Sequence, residues 1–143
     1  MADTFPAYIQ LQIVTPEREV AEEEVDEVSI PGKDGYLGVL PGHAPLLTEL
    51  QPGTLTYRQN TNERYVAIFS GFAEVLPDRV IVLAETAERA EDIDAEQAER
   101  DRQQAEEYLK THSEPEADLE KAREDLRRAV CRLETVRHMR SPV

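Results

Sequence analysis

The stretch Arg79-Val-Ile-Val-Leu-Ala-Glu-Thr-Ala-Glu-Arg-Ala-Glu-Asp-Ile-Asp-Ala-Glu-Gln97 changes character part-way through. Arg79–Leu83 is a β-branched, apolar run of strand type. Asp94-Ala-Glu-Gln97 reads as a helix N-cap with a capping-box partner three residues on. The chain therefore divides here, strands before and helices after. The expectation is an α+β chain: residues 1–87 as an antiparallel β-sandwich, residues 88–143 as an antiparallel two-helix hairpin, and residues 87–93 as the hinge.

Towards the N-terminus the period is two. Tyr8-Ile-Gln-Leu-Gln-Ile-Val14 alternates, placing Ile9, Leu11 and Ile13 on one face. Val28 and Ile30 repeat the pattern before Pro31-Gly32, and Leu55 and Tyr57 do so after Pro52-Gly53. Tyr65–Phe69 is a further β-rich run. Turn signals separate these segments at Lys33-Asp34-Gly35, Asn60-Thr-Asn62, Ser70-Gly71 and Pro77-Asp78. Strands at this spacing suggest a sandwich or barrel.

Towards the C-terminus the period lengthens. The first helix has only a thin apolar stripe, Ala98, Ala105 and Leu109, with Arg102 in the remaining position. Thr111–Pro115 breaks it, and Ser113-Glu-Pro-Glu116 reads as a second capping box. The second helix carries Leu119, Ala122, Leu126, Ala129, Leu133 and Val136, a heptad seam. Two helices joined by so short a loop lie antiparallel. Seams this rich in alanine bury little area, so the hairpin is expected to be weakly held and able to exchange partners.

Charge narrows the classes of function. The net charge of −14 argues against a nucleic-acid partner, whose phosphates need a basic footprint. Residues 17–27 hold seven acids and one arginine, whereas residues 126–140 hold five arginines and one glutamate. A basic tail on an acidic protein hints at an electrostatic partner for the tail. A solvated face with intrahelical pairs such as Glu124–Arg128 is the blander alternative. The lone Cys131 suits a reducing compartment and reads as an inert helix residue. The N-terminus shows no secretory pattern, and no run reaches the roughly 18 apolar residues of a membrane span, so direct membrane insertion is not expected. His43, His112 and His138 are scattered, with no metal-ligand spacing, phosphate loop or nucleophile elbow, so neither a catalytic residue nor a metal is expected.

One segment is more specific. Ile30-Pro-Gly-Lys-Asp-Gly-Tyr-Leu-Gly-Val-Leu-Pro-Gly-His-Ala-Pro-Leu-Leu-Thr-Glu-Leu-Gln-Pro-Gly-Thr-Leu55 strongly resembles the epsilon subunit of F-type ATP synthases. Gly71–Val75 and Leu83–Ala87 extend the match, and the order of domains agrees. Within the signature, the glycines and prolines define turns, while Leu46, Leu47 and Leu50 read as buried anchors. His43 reads as a structural or interface residue.

The resemblance implies a non-catalytic rotor subunit at the foot of the central stalk, peripheral on the cytoplasmic face of the cell membrane. It would couple proton flow to ATP synthesis and restrain hydrolysis. Carried over by position, Lys33, Asp34, Gly35 and Tyr36 would face the c-ring, and His43, Ala44 and Pro45 the gamma subunit. Arg127, Arg128 and Arg132 would meet an acidic segment of the catalytic beta subunit. The alternative is an ATP-binding sensor built on Asp94, Arg128 and Arg132. No other cofactor is expected. Gln97 stands where the family's ATP motif has arginine, so any ATP binding is expected to be weak.

Overall fold

A computed structural model describes residues 6–141. The first five residues of the N-terminal stretch read for targeting signals, and the last two of the arm, lie outside the described residues. The strands are β1 (Ile9–Val14), β2 (Glu19–Val25), β3 (Glu27–Gly32), β4 (Gly35–Val39), β5 (Leu46–Leu50), β6 (Gly53–Gln59), β7 (Asn62–Ile68), β8 (Gly71–Leu76), β9 (Arg79–Ala84) and β10 (Ala87–Arg89). A 3-10 turn at Ala90–Asp92 leads to α1 (Ala95–Thr111) and α2 (Glu116–Arg140).

The strands form one hydrogen-bonded path, β10-β7-β6-β3-β5-β8-β9-β1-β2, with β4 added on β3. The path folds over at β3, whose Gly32 pairs Leu50 of β5 while residues 27–29 pair β6. Two layers result, and their inner faces make the core. Pairing is antiparallel apart from β1 with β9, which run parallel. The antiparallel sandwich expected from the sequence is thus present, with one parallel pair where β1 slots between β2 and the last long strand of the sheet.

The alternation read at β1 holds, with Ile9, Leu11 and Ile13 in the core beside Val28, Ile30, Leu55, Val80 and Val82. The buried cluster draws every member from residues 9–84. The sandwich therefore closes its own core without the helices. At about 25 cal/mol per Å² of apolar area, this is where the chain's stability resides.

The acidic run 17–27 turns out to be mostly strand. In β2, Val20, Ala21 and Val25 are buried across a register irregularity opposite Ile13 and Val14, Glu19, Glu22 and Glu24 are exposed, and the half-buried Glu23 accepts from the Tyr57 hydroxyl at 3.0 Å. Charge on a path-end strand also discourages pairing with another chain.

Three local expectations need correction. Residues 87–93 are not a free hinge: Ala87–Arg89 pairs Ile68–Val66 of β7, and Ala90 is buried. Arg89 also donates from Nε and Nη2 to the Val20 carbonyl, at 3.0 and 2.6 Å, tying this segment across to β2. Ser113 does not cap α2. The helix starts at Glu116 with Pro115 at the N-cap, and the Pro115 carbonyl accepts from the Asp118 and Leu119 amides. Proline's fixed φ suits that entry position and leaves no orphan N–H. Leu46 and Leu47 are exposed, and only Leu50 is buried.

Asp94 does cap α1, its Oδ1 accepting from the Gln97 amide at 3.1 Å. The Gln97 side chain turns instead to Asp101 and Arg100, so the box is half closed.

Interface surfaces and the seat of the helical arm

The β3–β4 hairpin brings Lys33, Asp34, Gly35 and Tyr36 to one exposed tip. Gly35 has a φ of 131°, which closes the turn at no steric cost. Lys33 pairs Glu49 at 3.0 Å. The Tyr36 ring stays exposed, but its hydroxyl oxygen accepts from the Thr54 amide at 3.0 Å.

His43, Ala44 and Pro45 form a turn at the other end of β4 and β5. Gly42 N–H donates to the Pro77 carbonyl at 2.8 Å, and His43 N–H to the Leu40 carbonyl. His43 Nδ1 lies 2.7 Å from the Ala44 carbonyl oxygen. No carboxylate shares a hydrogen bond or ion pair with this imidazole among the described residues. The two groups are separated by the length of β4, about 13 Å at the usual rise per residue.

An apolar patch escaped the sequence reading. In β5, β8 and β9, Leu47 faces Glu74, while Glu49, Phe72 and Leu83 are register partners. Partners directly opposite share a face. The outer face of this layer thus shows Leu47 (70% exposed), Phe72 (51%) and Leu83 (57%), adjoining the His43–Pro45 turn through Leu46. Exposed leucines and a phenylalanine are grouped on one sheet face, a larger apolar cluster than singly scattered surface residues make. A signal was present in that Leu46 and Leu47 are adjacent, because in a strand only one of two neighbours can point inward.

The arm lies against the opposite layer. Strand β7 is buried continuously from Tyr65 to Ile68, since the core covers one face and α2 the other. The α2 seam meets α1 through Leu119, Ala122 and Ala129, against Ala98 and Ala105. A second face of α2, unread in the sequence, meets the sheet. Cys131 points its thiol at the carbonyls of Gly53 and Ile68, 3.3 and 3.5 Å away. Thr135 is fully buried and donates to the Cys131 carbonyl at 2.8 Å. With that proton used, Thr54 must donate in the 2.8 Å contact between Thr54 Oγ1 and Thr135 Oγ1. No buried side-chain polar atom among the described residues lacks a partner.

The arginines divide by contact. Arg127 is exposed and pairs Glu120 at 3.3 Å. Arg128 stacks over the Phe69 ring at 3.9 Å, donates to Thr86 Oγ1 at 3.1 Å and reaches both Glu85 and Glu124 at 3.3 Å. Arg132 donates to Glu88 at 2.8 Å and lies 4.0 Å from Asp101. The intrahelical Glu124–Arg128 pair exists, but it is one of several. Arg128 and Arg132 also line a groove of about 520 Å³ between α1 and α2, with Asp101, Asp118, Asp125 and Tyr108. Asp94 does not line it; its carboxylate is engaged at the cap.

Residues 8–90 match the family description "ATP synthase, Delta/Epsilon chain, beta-sandwich domain", and residues 91–137 match "ATP synthase, Delta/Epsilon chain, long alpha-helix domain". The chain belongs to this family. It is 51% identical over 133 residues to the ATP synthase epsilon chain of Herpetosiphon aurantiacus, covering 93% of this chain and 97% of the relative. Against the epsilon chain of Moorella thermoacetica it is 50% identical over 128 residues, covering 89% and 95%. A chain in the cryo-EM structure of Euglena gracilis mitochondrial ATP synthase, OSCP/F1/c-ring, superposes with a TM-score of 0.71 at 25% identity, covering 99% of this chain and 86% of that one. A chain from the Tetrahymena thermophila mitochondrial ATP synthase central stalk and c-ring, 14% identical, shares the fold with a TM-score of 0.57, covering 93% and 99%. The chain is thus an epsilon-type ATP synthase subunit.

Burial beneath the sheet pushes the Cys131 thiol from an ordinary value near 9 up to about 11. The docked state therefore favours the neutral thiol. Docking is at full strength below about pH 9 and fades as pH rises toward 11, by at most about 2–3 kcal/mol. Cys131→Ala should abolish that component. The wild-type melting temperature should fall more steeply than the variant's between pH 9 and 11. Tyr57 and Tyr65, both pushed up to about 12, titrate in either protein and cancel in the comparison. Parallel curves would show that the thiol is not held in the seat described.

Proposed function

We propose that this epsilon-type subunit works in the rotor at the foot of the central stalk, without catalytic groups of its own. It grips the gamma subunit, touches the c-ring and restrains ATP hydrolysis through its helical arm. The observation that carries this reading is the division of labour in the packing. The sandwich core is complete within residues 9–84, whereas the arm is held largely by polar contacts: the buried threonine pair, the Cys131 thiol on two carbonyls, Arg128 on Phe69 and Thr86, and partly exposed ion pairs.

A closed core lets the sandwich act as a stiff body that transmits torque. Lys33–Tyr36, at a pinned hairpin tip, would meet the polar loops of the c-ring. His43–Pro45 and the adjoining face of Leu47, Phe72 and Leu83 would meet gamma. None of the helices described is long and apolar enough to cross a membrane. Attachment through partners, on the cytoplasmic face of the membrane, follows from this assignment. Replacing Leu47 and Phe72 with Asp should leave the sheet signature in circular dichroism intact and abolish co-purification with gamma. Retained co-purification would place the gamma contact elsewhere.

In the braking role, the arm leaves its seat and presents Arg127, Arg128 and Arg132 to an acidic segment of the beta subunit. Charge-assisted guanidinium–carboxylate bonds supply the specificity. Each pair, if exposed, contributes only about 0–1 kcal/mol, so the three act together. Changing all three to Ala should raise ATP hydrolysis by the reconstituted complex several-fold. Hydrolysis that stays at the wild-type rate would remove the brake from this chain's role.

The groove between the helices favours a second reading, an ATP sensor. Arg128 and Arg132 lie on its wall, yet three aspartates share the lining and repel phosphate. Gln97 points to Arg100 and Asp101, away from any phosphate role. Calorimetric titration of the whole chain with ATP should give an affinity no tighter than about 1 mM, roughly −4 kcal/mol. A tighter constant would establish the sensor.

A further inference from the structure

We propose that the sandwich carries its own counter-ligand for the arm. Glu85 and Glu88 occupy the guanidiniums of Arg128 and Arg132 in the docked state, and an acidic partner reaches those arginines only by displacing the two carboxylates.

The geometry separates two kinds of contact. Glu124 and Asp101 also approach Arg128 and Arg132, at 3.3 and 4.0 Å, but both sit on the arm itself. They travel with it and cannot hold it down. Glu85 and Glu88 belong to the sandwich, Glu85 on the short connection from β9 into β10 and Glu88 within β10. They reach Arg128 at 3.3 Å and Arg132 at 2.8 Å. The carboxylates are three residues apart and the arginines four apart, one turn along one face of α2. The two pairs therefore close together or open together.

The seat offers more than charge. The Arg128 guanidinium lies 3.9 Å from the centre of the Phe69 ring and donates to Thr86. Two carboxylates, a hydroxyl and an aromatic face are what an acidic protein segment would present to the same arginines. The sandwich thus imitates the partner, and the arm is quiet because its recognition groups are already occupied. Release becomes an exchange of one acidic surface for another, with little net change in ion pairing. Both carboxylates keep substantial exposure, 62% and 32% for their side chains, so salt weakens the latch.

What the freed arginines then do rests on the braking role above; the latch itself does not. Cys131 is the chain's lone cysteine and is buried on the sheet-facing side of the docked α2, so its reaction with a thiol reagent reports undocking. In the full-length chain, Glu85→Gln with Glu88→Gln should speed Cys131 labelling about three- to tenfold, the sum expected of two partly exposed pairs. Raising salt from about 0.05 to 0.5 M should speed labelling of the wild type and leave the variant nearly unchanged. Labelling that responds to neither change would overturn the latch.

Should the double variant melt early, the exchanged pair Glu88→Arg with Arg132→Glu tests the same contact. Protection restored relative to either single change supports it, and protection not restored counts against it. In the assembled ATP synthase, Glu85→Gln with Glu88→Gln should lower ATP hydrolysis as more arms are released. Faster labelling with unchanged hydrolysis would uphold the latch and sink the brake. Unchanged labelling sinks the latch whatever the hydrolysis rate.

Discussion

The contact of α2 with the outer face of β6 and β7 is what the rest of this architecture depends on. It is polar at its centre. A buried hydrogen bond between Thr54 and Thr135 contributes on the order of 1 kcal/mol net. Breaking it in place would cost more, because both hydroxyls would be left dry. Such a contact fixes one register of the helix on the sheet while adding little to the depth of the well. A leucine pair at the same place would hold the arm more firmly and in more than one position. Swinging a population from 1:99 to 99:1 takes about 5.5 kcal/mol. A seat made of one hydroxyl pair, one thiol, two solvated ion pairs and an arginine laid over Phe69 and bonded to Thr86 lies within reach of a partner of ordinary affinity.

The same logic explains the composition of the arm. Helix α1 buries only Ala98 and Ala105, and its Arg102 sits in the apolar stripe clamped by Glu99 and Glu106. An arginine there stabilises the helix through local pairs that survive in any docked position. Interactions within each helix are retained on release, and interactions with the sandwich are exchanged. Stability carried inside the moving part does not oppose its movement.

Much of this was legible in the sequence, and the misses have physical causes. Period-two alternation at Ile9, Leu11 and Ile13 could be read because one face of β1 is buried and the other is wet. The continuous apolar run at Tyr65–Phe69 was legible as a strand, but its lack of alternation also signalled that both faces are covered. That second message marks the arm's seat. Strand β2 was hidden because its glutamates dominate the composition, although Val20 and Val25 keep the inward positions. The hinge was misplaced because Ala87-Glu-Arg89 has no β propensity; β7 recruits it by tertiary pairing. The heptad seam on α2 was real, yet Cys131 and Thr135 fall outside it and report a second interface. A helix that packs on a helix and a sheet together needs two stripes, and a search for one periodicity stops at the first. The site residues proved harder still. Which arginine meets which acid depends on pairs 43 and 44 positions apart in the chain, and no local pattern encodes them.

The Pro52-Gly53 step of the signature shows how these demands meet in one place. A Cβ at Gly53 would lie 2.6 Å from the Tyr36 hydroxyl and 2.7 Å from Pro31 Cβ, so the hairpin tip already fills the space a side chain would need. The Gly53 carbonyl takes the Cys131 thiol, and the next residue, Thr54, gives its amide to Tyr36 and its hydroxyl to Thr135. Two consecutive residues at the start of β6 thus hold both the exposed Lys33–Tyr36 tip and the helical arm. Beyond Ser29–Thr56, β3 no longer pairs with β6, and Tyr36 supplies the acceptor that the Thr54 amide would otherwise lack. Glycine is required here because two neighbours approach closely, and no unusual dihedral angle is involved. Any larger residue would push the tip away from β6 and take the acceptor of Thr54 with it. The arm's seat would then lose its geometry from below, with α2 itself unchanged.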